Sequence, residues 1–284
     1  MRKLSIIALA SIGVLAASSA QAQEEPSQTT DAVTAFSTLD RPSDVTMGGV
    51  DMGVSFHDPA EELTGVRWDV HAQYVHESKW GGYALIPVSR TFSDVNEETA
   101  LGSIELGGVK TFSLGQPQLA VRAGLALPTA DDSLAGMSAN YAGVLSRLTD
   151  VALIEPDTTW LRLAASPFGR TGQIFYRADA GIDLPLFEDA PMSAFGMQDI
   201  DPLVRLNLGV GANMGNVAMM GELATIGTTG DVDDGDRFFH TAAVTASKTD
   251  GMIRPQLSLA LPLDSTVRED VDFILMAGIH TILK

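Results

Sequence analysis

Along most of this chain apolar and polar side chains take alternate positions. Between residues 64 and 76, Val66, Trp68, Val70, Ala72 and Tyr74 alternate with Arg67, Asp69, His71 and Gln73. Between 173 and 185, Ile174, Tyr176, Ala178, Ala180 and Ile182 alternate with Phe175, Arg177, Asp179, Gly181 and Asp183. Val204, Leu206, Leu208 and Val210 do the same against Arg205, Asn207, Gly209 and Gly211. A period of two is the signature of β-strands whose sheet has two different faces. Twelve segments read this way: 45–57, 64–76, 80–89, 101–112, 118–128, 158–167, 173–185, 203–214, 217–226, 238–247, 252–262 and 271–283. The third, ninth and tenth alternate poorly, which leaves their facing open.

Four of the apolar runs stop at a proline: Pro87, Pro128, Pro185 and Pro262. All four fall on odd-numbered segments and lead into an acidic loop. Proline cannot donate to a ladder, so it suits the point where a strand leaves a sheet. Connection lengths sort in the same way. Even-to-odd links are short (77–79, 113–117, 167–172, 215–216 and 248–251), whereas the odd-to-even links at 58–63, 90–100, 129–157, 186–202, 227–237 and 263–270 are longer. A soluble sandwich has no reason to collect its long loops at one end, whereas bacterial barrels have short periplasmic turns and long outer loops. The expectation is an all-β fold: an antiparallel transmembrane β-barrel of about 12 strands with both chain ends in the periplasm.

The ends and the composition refine this. Arg2 and Lys3, the apolar run from Leu4 to Ala17, and Ala20-Gln21-Ala22 form an export signal with cleavage expected after Ala22. Three segments follow: residues 1–22 as signal peptide, 23–44 as a polar periplasmic lead-in, and 45–284 as the barrel. Loss of Arg2 and Lys3 takes the formal charge from −18 to −20, which argues against nucleic acid as a partner. The chain has no cysteine, so it has neither a disulfide framework nor a lipid-modified N-terminal Cys. Acidic residues such as Glu61, Glu62, Asp131, Asp132, Glu188, Asp189, Asp233, Asp234 and Asp270 collect in the long loops, while Lys79, Arg170 and Lys248 sit in the short turns.

The stretch from Gln118 to Asp132, with Gly124-Leu125-Ala126-Leu127-Pro128-Thr129-Ala130-Asp131, resembles the strand-end signature of a bacterial barrel family. That family is labelled for the meta-pathway of phenol degradation and is similar to FadL-type channels for hydrophobic substrates. Ala130 stands where the motif has glycine, and the chain ends Ile282-Leu283-Lys284 rather than on an aromatic residue. The resemblance implies an outer-membrane channel for a small hydrophobic or aromatic solute.

Charged residues opposite apolar ones must point into a lumen, because on the lipid face a charge costs about 2–4 kcal/mol at the midplane. The expected pore-lining set is Arg67, Asp69, His71, Glu105, Arg122, Arg177, Asp179, Asp183, Arg205, Asn207, Arg254 and Gln256. It reads either as a selective polar pore or as a packed, salt-bridged interior. In the third long loop Leu134, Met137, Tyr141, Leu145 and Leu148 follow helical spacing. They mark a short helix, capped by Asp132 or Ser133, as a candidate gate.

The acidic run 231–236 misses the EF-hand pattern, with its glycine one place early and no closing glutamate. No metal or cofactor is therefore expected. His57, His71, His76, His240 and His280 stand in no nucleophile motif. His57 with Asp58 is the one pair that could carry chemistry, and an enzyme is not expected. The expected partners are outer-membrane lipid, a small solute and the periplasmic barrel-assembly machinery. The alternative function is a non-conducting structural or adhesion barrel acting through acidic outer loops. Aromatic belts are read at two rims: Trp68 and Trp160 at the outer, Tyr74, Trp80, Tyr83, Phe112 and Phe175 at the inner.

Overall fold

The structure is a computed structural model. It describes residues 44–56, 64–92, 97–188 apart from 114 and 116, 201–230 and 237–283. The export signal, all but the last residue of the lead-in, the His57–Asp58 pair and the acidic run 231–236 lie outside the described residues.

The strands are β1 (Thr46–Phe56), β2 (Thr64–Val75), β3 (Trp80–Phe92), β4 (Glu97–Leu101), β5 (Glu105–Ser113), β6 (Gln118–Ala126), β7 (Thr158–Thr171), β8 (Ile174–Glu188), β9 (Leu203–Met214), β10 (Val217–Thr228), β11 (Phe238–Lys248), β12 (Ile253–Pro262) and β13 (Phe273–Leu283). Each pairs antiparallel with its neighbour, and β1 pairs on one side with β2 and on the other with β13, from Thr46↔Leu283 to Phe56↔Phe273. The sheet therefore closes on itself into a ring. β4 and β5 both pair with β3 and are two halves of one interrupted strand. The ring has 12 positions, as the alternation predicts.

Burial follows the alternation. In β12, Arg254, Gln256, Ser258 and Ala260 are buried while Ile253, Leu257, Leu259 and Leu261 are exposed. Val70, Leu106, Leu125, Leu208, Val244 and Ile279 extend the exposed apolar band across six other strands. Soluble monomers rarely expose apolar patches beyond a few hundred Å², so this outer face is built for a hydrocarbon solvent. No helix among the described residues is long and apolar enough to cross a membrane; the crossing elements are the strands.

The four prolines divide into two classes. Pro128 follows β6 and Pro262 closes β12, as strand exits. Pro87 and Pro185 lie inside β3 and β8. The Pro87 carbonyl accepts from Gly102 N at 2.9 Å, so its missing donor faces the gap between β4 and β5, and the absent hydrogen bond explains the break. Pro185 sits opposite Trp160, where the β7–β8 register shifts by a bulge. β7 likewise runs through Pro167 to Thr171, four residues beyond the expected end.

Both expected belts lose members. Trp160 and Phe175 are buried on the inward face, and Tyr83 turns inward to bond Glu105. Tyr74, Trp80 and Phe112 do face outward near the short turns. The inward three stand on the polar side of their strands' alternation, and aromatic identity alone does not reveal that side.

Candidate functional site

The third long loop folds into the barrel rather than over it. Helix α1 (Leu134–Val144) begins at Ser133, whose hydroxyl accepts from Gly136 N at 3.0 Å. Asp131 Oδ1 in turn accepts from Ser133 N at 2.9 Å, and hydrogen bonds from the Ser133 hydroxyl and then from its backbone N–H hold the Asp131 carboxyl below its ordinary pKa. The helix docks by its small residues: Gly136, Ala139, Ala142 and Gly143 are buried. A Cβ on Gly65 of β2 would stand 2.2 Å from the Ala142 carbonyl oxygen, and one on Gly143 would stand 2.2 Å from Ser89 Oγ of β3. Glycine on both sides of the contact lets helix and wall approach this closely.

Docking by the small face turns the larger apolar residues the other way. Tyr141, Leu145 and Leu148 line a cavity of about 320 Å³ at the loop end, together with Ile226, Phe239 and Val267. Val267 comes from α2 (Ser265–Asp270), a short helix that the sequence did not signal. The Tyr141 hydroxyl bonds Asp270 at the rim, and burial, with the Asp270 charge beside it, raises the phenol pKa. Of the candidate gate residues, Leu134 is 80% exposed and takes no part, and Met137 is half-buried outside the cavity lining.

Below this mouth a 3-10 segment, Leu148–Leu153, carries Asp150 into the middle of the barrel. Asp150 is fully buried and meets three arginines: Arg67 Nη2 at 3.0 Å, Arg147 Nε at 2.9 Å and Arg162 Nη2 at 3.1 Å. Arg67 also bonds Asp69 at 2.8 Å. Arg162 reaches Glu105 at 2.5 Å and Asp183 at 3.3 Å, and Asp183 holds Arg205 at 2.8 Å. One chain of alternating charge thus links β2 to β5, β7, β8 and β9 through a loop residue. A second cluster joins Arg122 to Asp179 at 2.7 Å, with Arg177 at 3.6 Å from the same oxygen and Ser166 bonded to it. Cavities beside the loop here measure only about 10 and 30 Å³, the larger with room for a water.

All twelve residues expected in the lumen are buried on inward faces. Arg67, Asp69, Glu105, Asp183 and Arg205 join the main network, and Arg122, Arg177 and Asp179 the second. Asn207 Oδ1 accepts from Thr225 N at 2.9 Å, and Arg254 Nε donates to Gly251 O at 3.4 Å. His71 and Gln256 approach Asp51 instead. Sequence reasoning passed over Asp51, Arg147, Asp150, Arg162 and Glu222. Leu161 and Leu163 flank Arg162, and Val50 and Met52 flank Asp51, so alternation could have found those two. Arg147 and Asp150 lie in a loop where no period applies.

No protein-family model matches the sequence, and no curated protein matches it. The resemblance to the phenol meta-pathway family therefore has no family model behind it. Solved structures match in fold. An outer membrane channel from Pseudomonas putida F1 superposes with a TM-score of 0.65 at 14% identity, over 88% of this chain and 100% of that one. The NanC porin superposes with a TM-score of 0.50 at 10% identity, over 84% and 99%. At such identities the likeness is one of fold: a closed 12-strand antiparallel barrel.

Proposed function

We propose that this chain is a bacterial outer-membrane channel that admits a small, mainly apolar or aromatic solute and passes it without covalent chemistry. The observation that carries this reading is the apolar cavity at the loop end, stacked above a charged interior that the third loop narrows. Ligand pockets are mostly apolar with a few placed polar groups. A cavity of roughly 150 Å³ takes benzene, so one of about 320 Å³ suits a single ring with substituents. Asp270 at its rim would accept from a hydroxyl on such a molecule. The inward arginines and carboxylates would line the narrow passage beneath, with outer-membrane lipid against the apolar band, the short turns in the periplasm and assembly there by the barrel machinery.

A second reading, a structural barrel that conducts nothing, draws support from Asp150, whose three ion pairs lock the loop across the interior. Single-channel recording on the purified protein, refolded and inserted in a planar bilayer, separates the two. Reproducible steps that a small aromatic solute reduces fit the channel. Silence from a protein that remains heat-modifiable on a gel, both before and after Asp150 is removed, leaves the structural barrel.

A further inference from the structure

A third cluster lies at the seam of the barrel. Asp51 of β1, His71 of β2 and His280 of β13 converge where the first and last strands meet, and their donor atoms all lie within 4.8 Å of one another. His280 Nε2 is 2.7 Å from Asp51 Oδ1, and His71 Nδ1 is 3.7 Å from Asp51 Oδ2. The two imidazoles meet edge to face with centroids 5.2 Å apart, and both are buried.

The backbone makes room for this convergence. Gly49 lies opposite His71 on one side and His280 on the other. A Cβ there would stand 2.9 Å from His71 Cε1 and 2.8 Å from His280 Cδ2. At Gly278 a Cβ would fall 2.1 Å from Asp51 Oδ1. Two inward glycines therefore hollow the wall at the place where the three side chains meet. Gln256 Nε2 lies 3.4 Å from Asp51 Oδ1 and orients the carboxylate from outside the set. Arg254, beside His280 in register, donates from Nε to Gly251 O, toward the short turn.

We propose that Asp51, His71 and His280 form a binding site for a divalent transition-metal ion of the zinc type. Two imidazoles and one carboxylate are a donor set that suits zinc, and calcium or magnesium, which prefer oxygen, would be poorly served. Zinc–ligand bonds of about 2.0–2.2 Å place tetrahedral donors roughly 3.3 Å apart, so small side-chain adjustments complete the site. Three protein ligands leave the fourth position for water. The ion would tie β1, β2 and β13 together at the seam that closes the barrel. The chain shows no metal spacing in sequence because 229 residues separate Asp51 from His280 and only barrel closure joins them.

The test is calorimetric titration of the refolded full-length barrel with zinc chloride, with cobalt(II) visible absorption as a second probe. One ion per chain is expected. Asp51→Asn, His71→Gln and His280→Gln should each weaken zinc by more than about 100-fold, since even outer partners of a ligand are worth 10–100-fold. His76→Ala and His240→Ala, outside the cluster, should bind as the parent does. Zinc-edge absorption on the parent protein reads the donors directly, so the answer stands even if a variant fails to fold: two imidazoles per zinc are expected. No binding by the parent, fewer imidazoles, or an affinity unchanged in all three variants would overturn the assignment. The last result would place the zinc on the acidic loops.

Discussion

Asp150 is the residue on which the interior turns. It brings one carboxylate from a loop to three arginines, two of which it does not share a strand or neighbouring turn with. Removing one partner of a buried ion pair leaves an uncompensated charge and costs about 3–5 kcal/mol. Asp150→Ala should therefore lower the denaturant midpoint. It should also leave three arginines facing the passage, so conductance should rise and the reversal potential should shift toward anions. Arg122→Met tests the second cluster. It removes the nearer of the two arginines bridged to Asp179 among the described residues, and the expected shift is toward cations. Unchanged selectivity in both variants would mean that permeant ions do not pass these groups. The inward set was legible at this scale because a charge between two apolar neighbours in a strand has one face available to it. Asp150 was not legible, because a loop imposes no face.

At the scale of the element, the question is what α1 and its loop do to the interior they enter. Helical spacing and a cap at Asp132 or Ser133 were readable in the chain, but the spacing singled out the large apolar residues, as a candidate gate. The structure docks the helix by glycine and alanine instead, because helix and wall can approach this closely only where one partner of each contact, Gly65 or Gly143, has no side chain. Gly65→Val should expel the helix: protease sensitivity of residues 130–150 should rise while the heat-modified gel shift persists. A staple gives the converse. A Cβ on Gly53 would stand 2.8 Å from Ser146 Cβ, against roughly 3.5–4.5 Å for a disulfide, so a small shift would allow Gly53→Cys and Ser146→Cys to join in a chain without other cysteines. If the loop gates, oxidation should hold the low-conductance state and reduction should release it. Equal conductance in both forms would make the loop a fixed constriction. The interrupted strand belongs to this scale too: Pro87 marked a ladder defect rather than an exit, and only the partner strand reveals which.

For the whole molecule, closure and the apolar outer band are the governing facts. Leu208 stands exposed in the middle of β9. Leu208→Arg should cost about 2–4 kcal/mol if lipid covers this face, read as a lower denaturant midpoint in vesicles with little change in detergent. Strand number, antiparallel order and the outward and inward faces of the cleanly alternating strands were set by the chain itself, because a two-residue period and a turn length are local properties. Which inward groups meet was decided by the tertiary structure alone. Closing the ring brings residue 51 to residue 280 and folds a loop carboxylate among arginines of distant strands. Such contacts depend on register and curvature around the whole barrel, and no local pattern encodes them.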